Sequence, residues 1–312
     1  MQPATHVVFG AGPLGAAIAE QIAARGDSVR LVSRSGRDLG IAGAETVAAD
    51  VTDAAAVRRV AGGARVAYFT CQPAYTKWTS GFPPLAKGVI EGLTGTATKL
   101  AVVDNLYLYG ATGGRPLTED LPAAATTRKG VARARLSAQF LEAHSAGKVP
   151  VVIVRGSNYF GLRGRDSTFG ERFFPPLLAG RPVTAFGDPD LPHAVTYVPD
   201  FARAVVELAA SDGAFGQAWH APSTSSLSVR QFAEAAARIA GLPQPKVSVM
   251  SPLMLRIGGL FMANAREMVE MLYEFEEPFV VDCTKAAGVG LVPTPIDKAL
   301  SATVDWWRSR PS

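Results

Sequence analysis

The 312-residue chain is 48% hydrophobic and 19% charged, which excludes a disordered polypeptide and allows roughly three quarters of the unfolded surface to be buried, near the size where a second lobe joins the first core. Two cysteines, Cys71 and Cys283, exclude a disulfide framework and a four-thiolate metal site, so no metal is expected and a reducing, cytoplasmic setting fits. No apolar run of about 18 residues or basic leader is present, so neither a membrane span nor a cleaved signal is expected; the net charge of +4 comes from scattered arginines, not from a basic arm for nucleic acid.

The first half alternates short apolar runs with longer helical patterns. Residues 6–9 predict a strand, 14–24 an alanine-rich helix and 28–32 a strand entered through Gly26-Asp27, one complete β-α-β unit. The alternation continues with a strand at 45–48, a helix at 53–60, a strand at 64–70, a helix at 84–93, a strand at 100–103, a helix at 127–144 and a strand at 151–155. Six strands separated by helices imply an α/β fold, a Rossmann-type doubly wound parallel sheet. Past Gly156 the rhythm breaks. The glycine- and proline-rich stretches 161–170 and 180–192 are candidate substrate loops. Asp200 is expected to cap a helix over 201–210. A strand at 217–219 and helices at 229–240 and 253–275 follow, the last interrupted by Gly258 and Gly259. The expected organisation is a cofactor domain over 1–155, to which part of 194–220 returns, and a smaller mixed substrate lobe over 156–312.

Gly10-Ala11-Gly12-Pro13-Leu14-Gly15 is a G-x-G-x-x-G sequence placed between a strand and a helix. Gly10 suits the tight turn, Gly12 the approach of a pyrophosphate and Gly15 close helix–sheet packing, while Pro13 and Leu14 open the helix whose positive end would face the phosphates. At the end of the second strand, a carboxylate would accept hydrogen bonds from an adenosine ribose; Ser33 stands there, followed by Arg34 and Arg37. A guanidinium forks onto a 2′-phosphate, so NADP(H) is expected over NAD(H). Asp50 and Val51 fall where an adenine is gripped, or else Asp50 is a turn residue before Asp53. Thr70, Cys71 and Gln72, after the fourth strand, complete the expected cofactor contacts.

With the glycine loop and Asp50, four further segments carry a resemblance: Asn105-Leu106-Tyr107-Leu108-Tyr109-Gly110, Leu117-Thr118-Glu119-Asp120, Arg155-Gly156-Ser157-Asn158-Tyr159-Phe160-Gly161 and Tyr197-Val198-Pro199-Asp200. In order and spacing the chain resembles the extended and atypical short-chain dehydrogenases/reductases of the NAD-dependent epimerase/dehydratase type. The resemblance implies a Rossmann domain with a carboxy-terminal substrate lobe, a cleft at the carboxyl ends of the strands, Ser157 and Asn158 at the cofactor's amide end, and a homodimer through the helices at 84–93 and 127–144. Members with ordinary redox activity carry a Y-x-x-x-K pair, tyrosine as acid or base and lysine to lower its pKa. This chain has no Y-x-x-x-K; aligned on the helix, Gly130 and Ala134 occupy those places, and Lys129 and Arg133 beside them read as a solvated face.

Candidates for the missing acid are Tyr107 first and Tyr75 second, with Asn105 in place of the usual serine or threonine as a hydrogen-bond donor. If the segment after the fifth strand stays extended, Tyr107 and Tyr109 point the same way. Tyr109, Phe160, Phe169, Phe173, Phe174 and His193 are expected at the substrate, although the phenylalanines equally suit a core. The resulting expectation is an NADP(H)-dependent oxidoreductase acting on a small carbonyl, enone or imine-like metabolite. A catalytically silent NADP(H) sensor and a sugar epimerase or dehydratase are the alternatives.

Overall fold

The computed structural model describes residues 4–225, 227–250, 255 and 267–310. In chain order the strands are β1 (Thr5–Phe9), β2 (Ser28–Ser33), β3 (Ala44–Ala48), β4 (Val66–Phe69), β5 (Lys99–Asn105), β6 (Val151–Gly156), β7 (Asn158–Phe160), β8 (Val183–Phe186), β9 (Val195–Tyr197), β10 (Ala218–His220) and β11 (Val247–Met250). The principal helices are α1 (Pro13–Ala24), α2 (Ala54–Val60), α3 (Trp78–Leu93), α4 (Arg128–Ser145), α5 (Phe174–Leu178), α6 (Val198–Ala210) and α7 (Val229–Ile239).

β1, β4 and β6 each carry three or four consecutive apolar residues, and almost every residue in them is buried, the pattern of strands covered on both faces. They join a seven-stranded sheet of order β10-β6-β5-β4-β1-β2-β3, in which β1 pairs in parallel with both β2 and β4. From β1 the chain builds outward first through β2 and β3, then through β4, β5 and β6. The strand order therefore reverses between β1 and β4, where ligands bind beyond the carboxyl ends of such sheets.

The chain forms two compact units. Unit 1 comprises residues 1–108, 129–155 and 201–219. Its core brings the apolar faces of α2, α3 and α4, among them Val57, Val89, Leu93, Leu136 and Phe140, onto Val7, Phe9, Phe69 and Val102 of the sheet. Unit 2 comprises residues 109–128, 156–200 and 220–312. Its centre is Phe232 of α7, whose ring lies 5.0 Å from that of Phe160 and 5.1 Å from that of Phe169. The rings of Phe173 and Phe174 follow at 5.4 and 6.4 Å. All four phenylalanines are at most 2% exposed. They form the interior of this unit, and the expectation that they line a substrate is corrected, because tightly packed aromatic edges leave no face to a ligand.

Three local expectations change. α3 begins at Trp78, earlier than residue 84, because Pro83 and Pro84 lie inside it: they remove two amide donors but keep a helical φ. Asp200 sits within the first turn of α6, which begins at Val198, instead of preceding it; its carboxylate accepts bonds from Thr294 N and Oγ1, both at 2.7 Å. Most of the helix expected over 253–275 lies outside the described residues; within that range the described residues 255 and 267–269 are helical, and a short helix follows at Tyr273–Glu276.

Candidate functional site

The glycine loop is built by three different demands. Gly10 has φ +114°, and a Cβ there would come 2.6 Å from Thr70 Oγ1; that hydroxyl donates to Phe9 O and Gly10 O at 3.0 and 2.9 Å, bracing the loop against the end of β4. A Cβ on Gly15 would stand 1.8 Å from Gly10 O, so α1 approaches the loop only without a side chain. At Gly12 the reverse holds: an added Cβ meets nothing within 4 Å. Gly12 is the exposed N-cap of α1, no side chain caps the helix, and Pro13 opens it. Uncapped first-turn amides at the start of a twelve-residue helix, beside open space, fit the pyrophosphate of a dinucleotide.

Beyond β2, Ser33 Oγ accepts a bond from Gly36 N at 3.1 Å, while Arg34 and Arg37 are exposed. Asp50 builds a turn, its Oδ1 accepting bonds from Thr52 N at 2.9 Å and Thr52 Oγ1 at 2.8 Å. These bonds hold its carboxyl below the usual range, and the Arg34 charge adds to them. The Val51 side chain is buried, and its carbonyl is overlain by α3, where a Cβ on Gly88 would come within 2.2 Å. The Val51 side chain belongs to the core, and the grip expected of this pair, a short Asp50 side chain with the Val51 backbone amide, does not call on it. Burial pushes the Cys71 thiol up to about 12, which makes it inert as a nucleophile. Gln72 is exposed.

A second part of unit 1 gathers at the end of β5. Asp104 Oδ1 accepts a bond from Asn105 N at 2.8 Å, and Asn105 Oδ1 one from Tyr107 N at 3.2 Å. Residues 107–109 turn at once into a 3-10 helix, so the expectation of parallel Tyr107 and Tyr109 side chains on an extended segment is corrected. The Tyr107 ring stacks on Trp78 at 5.8 Å and 30°, and Tyr75 meets Trp78 edge-on at 5.1 Å. Against these rings lie Lys129 and Arg133, one turn apart on α4 and only 3% and 4% exposed. Lys129 Nζ donates to Tyr75 O at 2.7 Å and stands 3.8 Å above that ring. The Arg133 guanidinium lies 4.3 Å over Trp78 and 4.5 Å over Phe82, and its Nη1 donates to Asp104 Oδ1 at 3.2 Å. Burial lowers the Arg133 pKa, opposed by Asp104, Tyr107 and Tyr75. The solvated face expected of Lys129 and Arg133 is instead a buried cationic pair at the place where Y-x-x-x-K was sought. The i, i+4 spacing was the available signal.

In unit 2, Tyr109 is buried with its hydroxyl 2.8 Å from His220 Nε2, while His220 Nδ1 lies 3.0 Å from Asp282 O. Tyr109 is thereby a structural tie, which corrects its expected place at the substrate. Ser157 N donates to Thr196 Oγ1 at 2.8 Å and Ser157 Oγ to Ala194 O at 2.7 Å. Its hydroxyl joins the β7–β9 segments as a donor and keeps its acceptor lone pairs. Asn158 Nδ2 lies 3.2 Å from His193 Nε2 and 3.1 Å from Glu274 Oε2. His193 Nδ1 lies 3.0 Å from Glu274 O, and the imidazole stacks on Phe275 at 4.5 Å and 10°. Burial drives both titratable groups toward neutrality: His193 falls to about 4 and Glu274 rises to about 8. Glu274 was missed in the sequence because only its distant partners mark it. Among the described residues, no cluster of three potential ligands could hold a metal, and no helix is long and apolar enough to cross a membrane.

No protein-family model and no curated protein matches the sequence. Solved structures do match over the whole length. UDP-glucuronic acid 4-epimerase from Bacillus cereus in complex with NAD is 17% identical with TM-score 0.78, covering 97% of this chain and 96% of its own. The dTDP-glucose 4,6-dehydratase of Bacillus anthracis in complex with NAD is 15% identical with TM-score 0.74, covering 98% and 96%. UDP-glucose 4-epimerase from Thermotoga maritima is 19% identical with TM-score 0.75, covering 97% and 98%. The chain has the Rossmann-like fold of these epimerases and dehydratases, as the sequence resemblance implies.

Proposed function

We propose that this chain is a nicotinamide-dinucleotide oxidoreductase that prefers NADP(H) and acts on a hydroxyl-bearing, sugar-like substrate. The observation that carries the reading is the contrast between Gly12 and Gly15: one leaves open space at uncapped helix amides while the other presses that helix onto the loop. Ser33, Arg34 and Arg37 at the end of β2, where a carboxylate would repel a 2′-phosphate, support the phosphorylated coenzyme. When bound, the nicotinamide supplies hydride transfer.

The chain's own residues handle the proton and the geometry. Tyr107 is the proton carrier, held on the face of Trp78, with the fixed charge of Arg133 acting on it from α4. Arg133 takes over the electrostatic task of the family's lysine. Lys129 and Asn105 set the backbone of Tyr75 and Tyr107 through the bonds described. Full-length similarity to nucleotide-sugar epimerases and a dehydratase favours epimerisation or dehydration of a sugar-like substrate over reduction of a small carbonyl, enone or imine.

Calorimetry with NAD(H) and NADP(H) tests the coenzyme: binding on the order of tenfold tighter for the phosphorylated forms, lost in Arg34→Glu, is expected. A preference for the unphosphorylated coenzyme overturns it. Incubation with UDP-glucuronic acid or UDP-glucose, followed by NMR of the sugar, tests the reaction, and Tyr107→Phe should lower turnover by on the order of a hundredfold. Coenzyme binding with no turnover of any nucleotide sugar would leave the silent sensor.

A further inference from the structure

The Asn158–His193–Glu274 cluster joins three separate segments of unit 2, each held by backbone. Asn158 pairs with Val195 in the β7–β9 register. His193 N donates to Leu227 O and Ala194 N to Phe279 O, both flanking the imidazole. Glu274 is fixed through its neighbour: Asp188 N donates to Phe275 O at 2.8 Å, and a Cβ on Gly187 would collide with that carbonyl at 2.2 Å. The groups facing His193 and Glu274 are Asn158 and the rings of Phe169, Phe275 and Phe279; among the described residues no other charge shifts either group.

Hydrogen-bond accounting settles the protons. Only an imidazole N–H satisfies a backbone carbonyl, so Nδ1 of His193 carries a proton and donates to Glu274 O. In the neutral ring Nε2 then accepts, and the nearest group, Asn158 Nδ2, donates to it. The second N–H of the same amide reaches Glu274 Oε2. Glu274 Oε1 is buried with no hydrogen-bond partner among the described residues. An ionised carboxylate in that position would be intolerable, so Oε1 holds the proton. Both N–H bonds of Asn158 are used, and its Oδ1, on a half-buried side chain, has no partner among the described residues.

We propose that His193 and Glu274 are positioning residues that lock the Asn158 amide with its carbonyl oxygen toward the ligand, so that unit 2 reads a hydrogen-bond donor there, a hydroxyl or N–H group, and not a phosphate or carboxylate. The inference rests on the sugar-like substrate proposed above and on the substrate lobe expected over 156–312, moves Asn158 from the cofactor's amide end to the substrate, and fixes the polarity of that one contact. A ligand oxygen carrying only lone pairs meets repulsion at that point.

The test is 15N NMR on the full-length chain without coenzyme, with His193 and Asn158 assigned by His193→Gln and Asn158→Asp. At pH 7, His193 should be neutral with Nδ1 protonated and Nε2 bare, and the Asn158 side-chain N–H groups should exchange on the order of a hundredfold slower than those of an exposed asparagine. Glu274→Gln, whose amide keeps an acceptor and a donor, should preserve both signatures, whereas Glu274→Leu should release the Asn158 amide. A His193 protonated on Nε2 overturns the proposal, since that N–H would take the Asn158 oxygen and turn the NH2 group outward. Asn158 exchange at the solvent rate overturns it equally. Because no coenzyme is present, either failure is distinct from failure of the NADP(H) titration.

Discussion

Two buried polar clusters, one in each unit, meet the cost of desolvation differently. In unit 1 the cations Lys129 and Arg133 lie on the faces of Tyr75, Trp78 and Phe82, and Asp104 answers Arg133 directly. In unit 2 a histidine and a glutamate, which at a surface would pair as ions, are both pushed to their neutral forms and joined through one amide. The first arrangement supplies a fixed electrostatic field beside Tyr107. The second supplies a hydrogen-bond pattern with no net charge. A proton carrier needs the former, and recognition of a neutral polar group needs the latter.

Breaking the charged cluster should have the largest effect. Arg133→Met leaves Asp104 as a buried carboxylate with Arg155 Nε 4.0 Å from Oδ2. The expected loss is about 3–5 kcal/mol in urea unfolding, and the double variant with Asp104→Leu should recover most of it. A cost below about 1 kcal/mol would show that Arg133 does not compensate the buried Asp104 carboxylate.

The neutral cluster predicts a pH signature. Glu274 rises from 4.5 to about 8 on folding, so its contribution is present below 4.5 and is lost as pH rises through 8. His193 falls from 6.5 to about 4, so its contribution is present above 6.5 and lost as pH falls through 4. Between 4.5 and 6.5 the folded pair and the unfolded pair each carry one proton, and the two slopes cancel. Above 6.5 only the folded state keeps a proton, so this pair should cost up to about 2 kcal/mol of stability by pH 8. Glu274→Gln should abolish that alkaline loss and instead gain stability as pH rises from 4 to 6.5. Thermal melts of both proteins across pH 4–9 decide it: equal alkaline slopes would remove Glu274 as the titrating group.

The glycine loop was legible because each glycine answers a local demand that a short window carries: a positive φ, a close approach or an open cap. The parallel strands were legible for the same reason, since burial on both faces leaves an unbroken apolar run. Lys129 and Arg133 were not, because the rings that bury them come from residues 75–82, far away in the chain, and an arginine-rich helix otherwise reads as solvated. Asn158 and His193 were both singled out, yet their union depends on β7 and β9, three residues each and too short to show a period. Glu274 joins them only by tertiary packing, and nothing near it in sequence announces a buried acid.

Smaller substitutions sharpen the contrast between charge and hydrogen bonding. Lys129→Met keeps the apolar stem but removes the bond to Tyr75 O and the cation over its ring, for an expected cost of about 1–2 kcal/mol. Ser157→Ala should cost less, about 1 kcal/mol, because only one neutral bond is lost. The hydroxyl donates to Ala194 O inside unit 2, whereas the Ser157 amide keeps its own bond to Thr196 Oγ1. The β7–β9 pairing therefore survives with one carbonyl unanswered. With that proton committed to Ala194 O, the variant should bind NADPH as the wild type does in calorimetry while melting earlier. A weakened NADPH affinity at unchanged melting temperature would reverse the assignment and return Ser157 to the coenzyme.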